Sequence, residues 1–279
     1  MRLVGARAPG PFAPGRCGPV GPGRYGGSVT SIGGLAAVAV AGLAAGTINT
    51  VVGSGTLITF PVLLTLGVPP VTANVTNTIG LVPGGFSGAY GYRRELAGQR
   101  DRLVRFGAAS LIGGLIGATL LLVLPPGVFK AVVPVLILLA LVLVVSQPRL
   151  ARRFIHADQP AAGRRPLLLW VLVLLTGVYG GYFGAAQGVL LVAMFGALLD
   201  SDLQRVNALK NVLAFVVNLV AGVLFVFLAH PDWVYVLLIA VFSAVGGQVG
   251  ALIGRRLSPV MLRTVIVLVG LAALVKLLV

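Results

Sequence analysis

Charge is scarce in this chain of 279 residues. Asp, Glu, Lys and Arg make up 10%, and only six of them are acids against 21 basic residues. A soluble domain would carry about a quarter charged residues. Cys17 is the only cysteine, which excludes an intramolecular disulfide. His156 and His230 are the only histidines, and both lie between apolar runs. A metal or haem site therefore has almost no ligands, and no cofactor is expected. There is no phosphate-binding loop of the form G-x-x-x-x-G-K-S/T, so the energy source would be an ion gradient or the solute's own gradient. No H-E-x-x-H, Ser/His pairing or paired carboxylate falls within an apolar run, which argues against an enzyme. The same lack of acids leaves a proton relay hard to place.

What is present is apolar. The hydrophobic fraction is 58% and the mean hydropathy is +1.04. Several runs of about 20 residues can each cross a hydrocarbon core of roughly 30 Å. They are continuous rather than alternating, which argues against a β-barrel. The sequence thus predicts an all-α polytopic membrane protein of about 8–10 apolar segments embedded in a lipid bilayer. The net charge of +15 does not indicate nucleic acid, because the basic residues fill the gaps between the runs. Arg93, Arg94, Arg100, Arg102 and Arg105 occupy one gap, and Arg149, Arg152, Arg153, Arg164 and Arg165 another. Arg255, Arg256 and Arg263 mark a third. This is the positive-inside pattern of an inner-membrane protein. Residues 1–31 read as a disordered tail rich in Gly, Pro and Arg, and translation starting near Val29 is one reading of it.

The chain contains a repeat. At a shift of 133 residues, "LIGGLIGATLLLVLPPGVF" (111–129) lies over "AVGGQVGALIGRRLSPVML" (244–262), and "ANVTNT" (73–78) over "VNALKN" (206–211). That places Asn74 on Asn207 and Asn77 on Lys210. With a two-residue gap, "AGLAAGTINTVVGSG" (41–55) lies over "TGVYGGYFGAAQGVL" (176–190), so that Gly53 meets Gly188. The expected organisation is a first transmembrane repeat over 32–147, a basic cytoplasmic linker over 148–166 and a second repeat over 167–279. Each repeat reads as a glycine-rich pair of short pieces, 32–48 with 54–66 and 167–183 with 186–199, followed by three long spans. The first-half spans are 73–92, 105–124 and 127–147; the second-half spans are 206–229, 234–254 and 259–279. The gap at 93–104 is basic, whereas its counterpart at 229–233 has no Arg or Lys. Equivalent loops then fall on opposite sides of the membrane, so the halves are inverted. By the same parity the tail falls outside, although it carries Arg2, Arg7, Arg16 and Arg24.

Glycine-rich stretches are weak helices, at roughly 1 kcal/mol per glycine. In the short pieces they suit broken helical hairpins around a cavity, whose helix N-termini attract anions. Asn49, Gly53 and Gly55 stand in the first hairpin, with Ser54 and Thr56 as polar partners. Gln187 and Gly188 stand in the second. The start of each third segment supplies Asn74, Thr76 and Asn77, and Asn207, Lys210 and Asn211. Lys210 is the basic residue placed well inside an apolar context, and an intramembrane charge points to function. The opposing explanation is a lysine reaching the headgroups. The pairs Gly113/Gly117 and Gly246/Gly250 read instead as helix contact surfaces.

These stretches, together with the closing "GGQVGALIGRRLSP", resemble the sulfite exporter TauE/SafE family of bacterial inner-membrane permeases, from about Gly34 to Val279. The resemblance implies export of anionic sulfur compounds such as sulfite or sulfoacetate. Family members often carry lysine after Thr-Asn where this chain has Thr78, which leaves Lys210 as its one basic ligand. Ala186 stands where glycine is common. The reading is an alternating-access secondary transporter exporting a small anion, with Asn49, Gly53, Gly55, Asn74, Thr76, Asn77, Gln187, Gly188, Asn207, Lys210 and Asn211 as substrate-binding residues. A channel-like anion pore and a permease for a non-sulfur solute are the alternatives. A homodimer is an assembly the sequence allows.

Overall fold

The computed structural model describes residues 31–155, 166–199, 202–254 and 259–278. The tail before Ser31, linker residues 156–165 and Asp200 lie outside the described residues. The described residues form ten α-helices and no strand: α1 (Ile32–Val51), α2 (Thr56–Thr65), α3 (Pro70–Gly91), α4 (Arg100–Val123), α5 (Pro126–Ile155), α6 (Pro166–Tyr182), α7 (Gln187–Leu198), α8 (Leu203–Leu228), α9 (Trp233–Ile253) and α10 (Pro259–Leu278). Five are long and apolar enough to cross a membrane: α1, α4, α5 as far as Gln147, α8 and α9. The third segment, α3, has 22 residues but is too polar to be one of them, because Asn74, Thr76, Asn77 and Thr78 cluster in its first turns. The chain belongs to a multi-pass membrane protein.

Two boundaries differ from the sequence reading. Ser31 is not part of a tail; its hydroxyl accepts from the Gly34 amide at 3.1 Å and caps α1. The helix α5 runs on to Ile155 past the apolar limit at Gln147. Leu150, Ala151, Arg152 and Arg153 are good helix formers, so the helix outlasts the hydrophobic run.

Both expected hairpins are present. α2 has 10 residues and α7 has 12. At 1.5 Å per residue these are about half the length needed to span a bilayer. The first break follows from Gly53 at φ +91°. The second follows from Gly184 at φ +77° and Ala186 at φ +60°, the one non-glycine residue in the left-handed region among the described residues.

The helices pack in corresponding pairs. α1 packs on α9 as α6 packs on α4, and α2 packs on α10 as α7 packs on α5. α1 and α9 run parallel, with Gly42 against Ile239, Gly46 against Ser243 and Gly250 against Thr47. α6 and α4 run parallel in the same way, with Gly177 against Ser110 and Gly181 against Gly114 and Ala118. A Cβ at Gly46, Gly113, Gly117 or Gly246 would overlap a backbone carbonyl of the neighbouring helix. The glycine pairs are therefore contact surfaces, and small residues let the backbones touch. α3 and α8 cross antiparallel, with Gly222 against Val82 and Ile79, and Phe215 against Gly85 and Phe86. Large apolar side chains such as Phe227, Leu252 and Val123 point outward and are exposed.

The turns sort to two ends. Pro69 and Pro70 before α3, Leu124 and Pro126 between α4 and α5, and Ala229 and His230 after α8 line one cavity of about 480 Å³. At the other end Gln99 donates to the Arg205 carbonyl at 3.2 Å, and Arg205 donates to the Ala97 carbonyl at 3.3 Å.

Candidate functional site

The two breaks meet in the interior. Gly188 N donates to the Gly53 carbonyl at 3.1 Å, and the two Cα atoms are so close that a Cβ on either would overlap the other's backbone. These are the two glycines that the sequence alignment of the halves placed over one another. Around this contact lie the end of α1, the start of α2, the end of α6 and the start of α7.

Lys210 reaches into this place from the third turn of α8. It is 0% exposed. Its ammonium donates to the carbonyl of Asn49 at 3.1 Å and to that of Thr50 at 2.9 Å. Asn211 and Asn207 add amide donors to the same Thr50 oxygen at 3.3 and 3.4 Å. Three donors thus converge on the C-terminal end of α1, where the helix dipole is negative. Among the described residues no carboxylate pairs with Lys210; its partners are neutral carbonyls. The lysine does not snorkel.

The first half places its asparagines by the same rule. Asn74, also 0% exposed, donates Nδ2 to the Tyr182 carbonyl at 2.9 Å, at the C-terminal end of α6. Asn74 and Asn207 each bind the last turn of the opposite half's first helix. Asn77, the counterpart of Lys210, turns instead to α2: it donates to Thr56 Oγ1 at 3.3 Å and accepts from the Thr59 hydroxyl.

Several buried polar atoms have no hydrogen-bond partner among the described residues: Ser54 Oγ, Asn74 Oδ1, Gln187 Nε2, Asn207 Oδ1 and Ser110 Oγ. Ser54 adjoins Gly53, and Gln187 opens α7 beside Gly188. Unsatisfied buried polar groups cost about 1–3 kcal/mol each. Four of the five fall on residues of the two hairpins and of the α3 and α8 starts. α2 and α7 have no side-chain hydrogen bond capping their first turns.

The sequence-derived residues are brought together with exceptions. Asn49 contributes its carbonyl. Gly55 faces the Ala45 carbonyl and Asn49 Cβ, a packing contact. Thr76 faces away, its hydroxyl accepting from the Asp232 amide at 3.0 Å where α9 begins. Asp232 and Asp202 cap α9 and α8 with their carboxylates. Thr50, Tyr182 and Thr59 were missed. Thr50 and Tyr182 act through main-chain oxygens, which no side-chain motif announces.

A helical bundle that crosses the membrane several times and holds interrupted helices and a buried lysine with no carboxylate partner among the described residues has the architecture of a membrane transporter. The family model described as "Sulfite exporter TauE/SafE" matches residues 38–277. The chain belongs to that family. It is 27% identical over 234 residues to "Probable membrane transporter protein ORF9" of a Sinorhizobium species, covering 84% of this chain and 88% of that one. It is 26% identical over 228 residues to a "Probable membrane transporter protein" of Haemophilus influenzae, covering 81% and 87%. It is 25% identical over 237 residues to "Probable membrane transporter protein YfcA" of Escherichia coli K12, covering 84% and 86%. No solved structure matches the chain.

Proposed function

We propose that this chain exports small anions, sulfur-containing ones such as sulfite or organosulfonates, as a secondary transporter with two inverted halves working by alternating access. The observation that carries the reading is Lys210. A fully buried lysine whose partners among the described residues are neutral carbonyls has no acid beside it to balance a positive charge. Such a charge is costly until an anion lies beside it. Ser54 Oγ and Gln187 Nε2 offer unpaired donors next to the Gly53–Gly188 contact. The first-turn amides of α2 and α7 add partial positive charge. Asn207 and Asn211 hold the lysine's acceptor in place.

The sulfur assignment is supported by the family description. The inversion is supported by the antiparallel crossing of α3 and α8 and by the grouping of the turns at the two ends. The repeat and linker limits rest on the alignment of the two halves.

The test is efflux from proteoliposomes loaded in turn with sulfite, sulfoacetate, thiosulfate, sulfate and acetate. Saturable efflux of a sulfur anion supports the proposal. Non-saturating flux replaces the transporter with a pore, and flux of acetate alone removes the sulfur assignment.

A further inference from the structure

Arg263 stands one turn past Pro259 on α10, where α10 packs on α5. Its Nε donates to Gln147 Oε1 at 3.3 Å. Gln147 ends the apolar part of α5, so the guanidinium lies where hydrocarbon gives way to headgroups. A guanidinium has five N–H donors and keeps its charge. Among the described residues its hydrogen-bond partner is this one neutral oxygen. No acid lies on α5 or α10, and none follows Asp232 in the chain. Arg149, Arg152 and Arg153 follow on α5, and Arg255 and Arg256 precede α10 in the sequence. α4 and α5 join at Leu124 and Pro126, so the far end of α5 lies on the side of the basic gap 93–104, the cytoplasmic side by its charge. Beside Arg263, α5 and α10 leave an open groove of about 360 Å³ lined by Val145, Val260, Thr264, Val267 and Leu268. Arg263 is its one charged residue, and the Thr264 hydroxyl is satisfied by the Val260 carbonyl at 3.0 Å. Val142 and Leu138, on the same face of α5 as Val145, are also exposed and extend the apolar strip toward the bilayer centre.

We infer that the groove between α5 and α10 binds an anionic phospholipid of the cytoplasmic leaflet, its phosphate on the Arg263 guanidinium and an acyl chain along Val145, Val267 and Leu268. Two chemistries meet here, a charged fork at headgroup depth and an apolar wall running inward from it, and a phospholipid carries both. The planar guanidinium matches a phosphate with two parallel hydrogen bonds. Gln147 holds Nε, which fixes the direction of the fork and separates this residue from an arginine that merely reaches for water. Basic pockets between membrane helices on the cytoplasmic side suit anionic headgroups. A small anion would touch the arginine and leave the apolar wall uncovered. A second copy of the chain is disfavoured by charge, because its own α5 and α10 are basic and bring no acid. The groove opens outward beside the exposed Val145 and Leu268. This inference goes beyond the export reading and stands without it.

The test uses purified full-length protein in a neutral detergent with no sulfur anion. Thermal unfolding is followed as phosphatidylglycerol, phosphatidylcholine or inorganic phosphate is added. The expected result is a saturable rise of Tm with phosphatidylglycerol that phosphatidylcholine and inorganic phosphate do not reproduce. Arg263→Gln raises the half-saturating lipid concentration about tenfold or more, the size of one lost charge-assisted hydrogen bond. Thr264→Phe keeps the charge, fills the groove and weakens the effect as well. Arg93→Gln removes an exposed cation at the same end of the bundle, one that lies over the Tyr90 ring, and leaves the effect intact. An equal rise with phosphatidylcholine or inorganic phosphate overturns the proposal, as does an undiminished rise in Arg263→Gln or an equal loss in Arg93→Gln. A dimer that dissociates in Thr264→Phe, with no phosphatidylglycerol effect, gives the groove to a second copy and also overturns it. If Arg263→Gln does not fold, native mass spectrometry of the unaltered protein and of Thr264→Phe decides: no phosphatidylglycerol retained, or equal retention in both, overturns it. No transported anion is present, so failure here leaves the flux reading untouched, and failed flux leaves this one untouched.

Discussion

The Lys210 ammonium lies 2.9 Å from the Thr50 carbonyl oxygen, so a side chain of α8 closes the end of α1 across 160 residues of sequence. One interaction joins the two halves, terminates a broken helix and brings a charge into the interior. Function and stability respond differently to its loss.

Lys210→Met retains most of the side chain's volume and removes the charge. Replacing a buried charge by a well-packed apolar group is often neutral or stabilising. Tm is expected to stay level or rise, while saturable anion efflux falls about tenfold or more, the size of one lost charge-assisted hydrogen bond. Thermal unfolding and proteoliposome flux on the same preparation check both halves of this expectation. A fall in Tm with normal flux would make the lysine a structural cap.

Gly53→Ala and Gly188→Ala force a methyl group into the opposite backbone. Each is expected to lower stability by about 2–4 kcal/mol, in the range of overpacked or strained sites. Gly67→Ala is the control. Its φ is +84°, and nothing lies within 4 Å of an added Cβ. Only the left-handed strain of about 1–2 kcal/mol applies there. Comparing the three Tm values separates the crossing from backbone conformation alone.

Ala186 holds a left-handed conformation at φ +60° while fully buried. Ala186→Gly relieves that strain and is expected to shift stability by no more than about 1 kcal/mol, since the unfolded chain gains freedom as the strain is lost. Ala186→Val adds a β-branched side chain to the same conformation and is expected to cost more than about 2 kcal/mol. Detergent-stability profiles rank the two.

Thr76→Val removes the acceptor for the Asp232 amide. It is expected to cost about 1 kcal/mol of stability and to leave the concentration dependence of anion efflux unchanged. A shifted half-saturation would return Thr76 to the site.

The segments were legible because each level of the sequence agrees with the next. Apolar runs of sufficient length, basic gaps and paired glycines give the helices to within about five residues, including both half-length pieces, except that α5 runs on to Ile155. The site was legible as a list of polar residues but not as an arrangement. Asn74, Asn77 and Thr76 share one stretch of α3, yet they face the end of α6, the start of α2 and the start of α9. Helical spacing says which residues share a face; it does not say which neighbour that face meets. The acceptors for Lys210 are main-chain atoms made available by a helix break. The glycine at 53 signals the break but not the lysine that fills it.

The pairing of each half's first helix with the other half's fourth has a consequence for synthesis. Thr47 on α1 donates to the Gly246 carbonyl on α9, 199 residues later. At about 5–20 residues per second, α1 leaves the ribosome roughly 10–40 s before the surface that its glycines fit. The groove that receives α1 lies on α9, in the other half of the chain. Until α9 arrives, the glycine face of α1 lies against lipid or against the machinery that inserts it, and its packing waits for about 200 more residues.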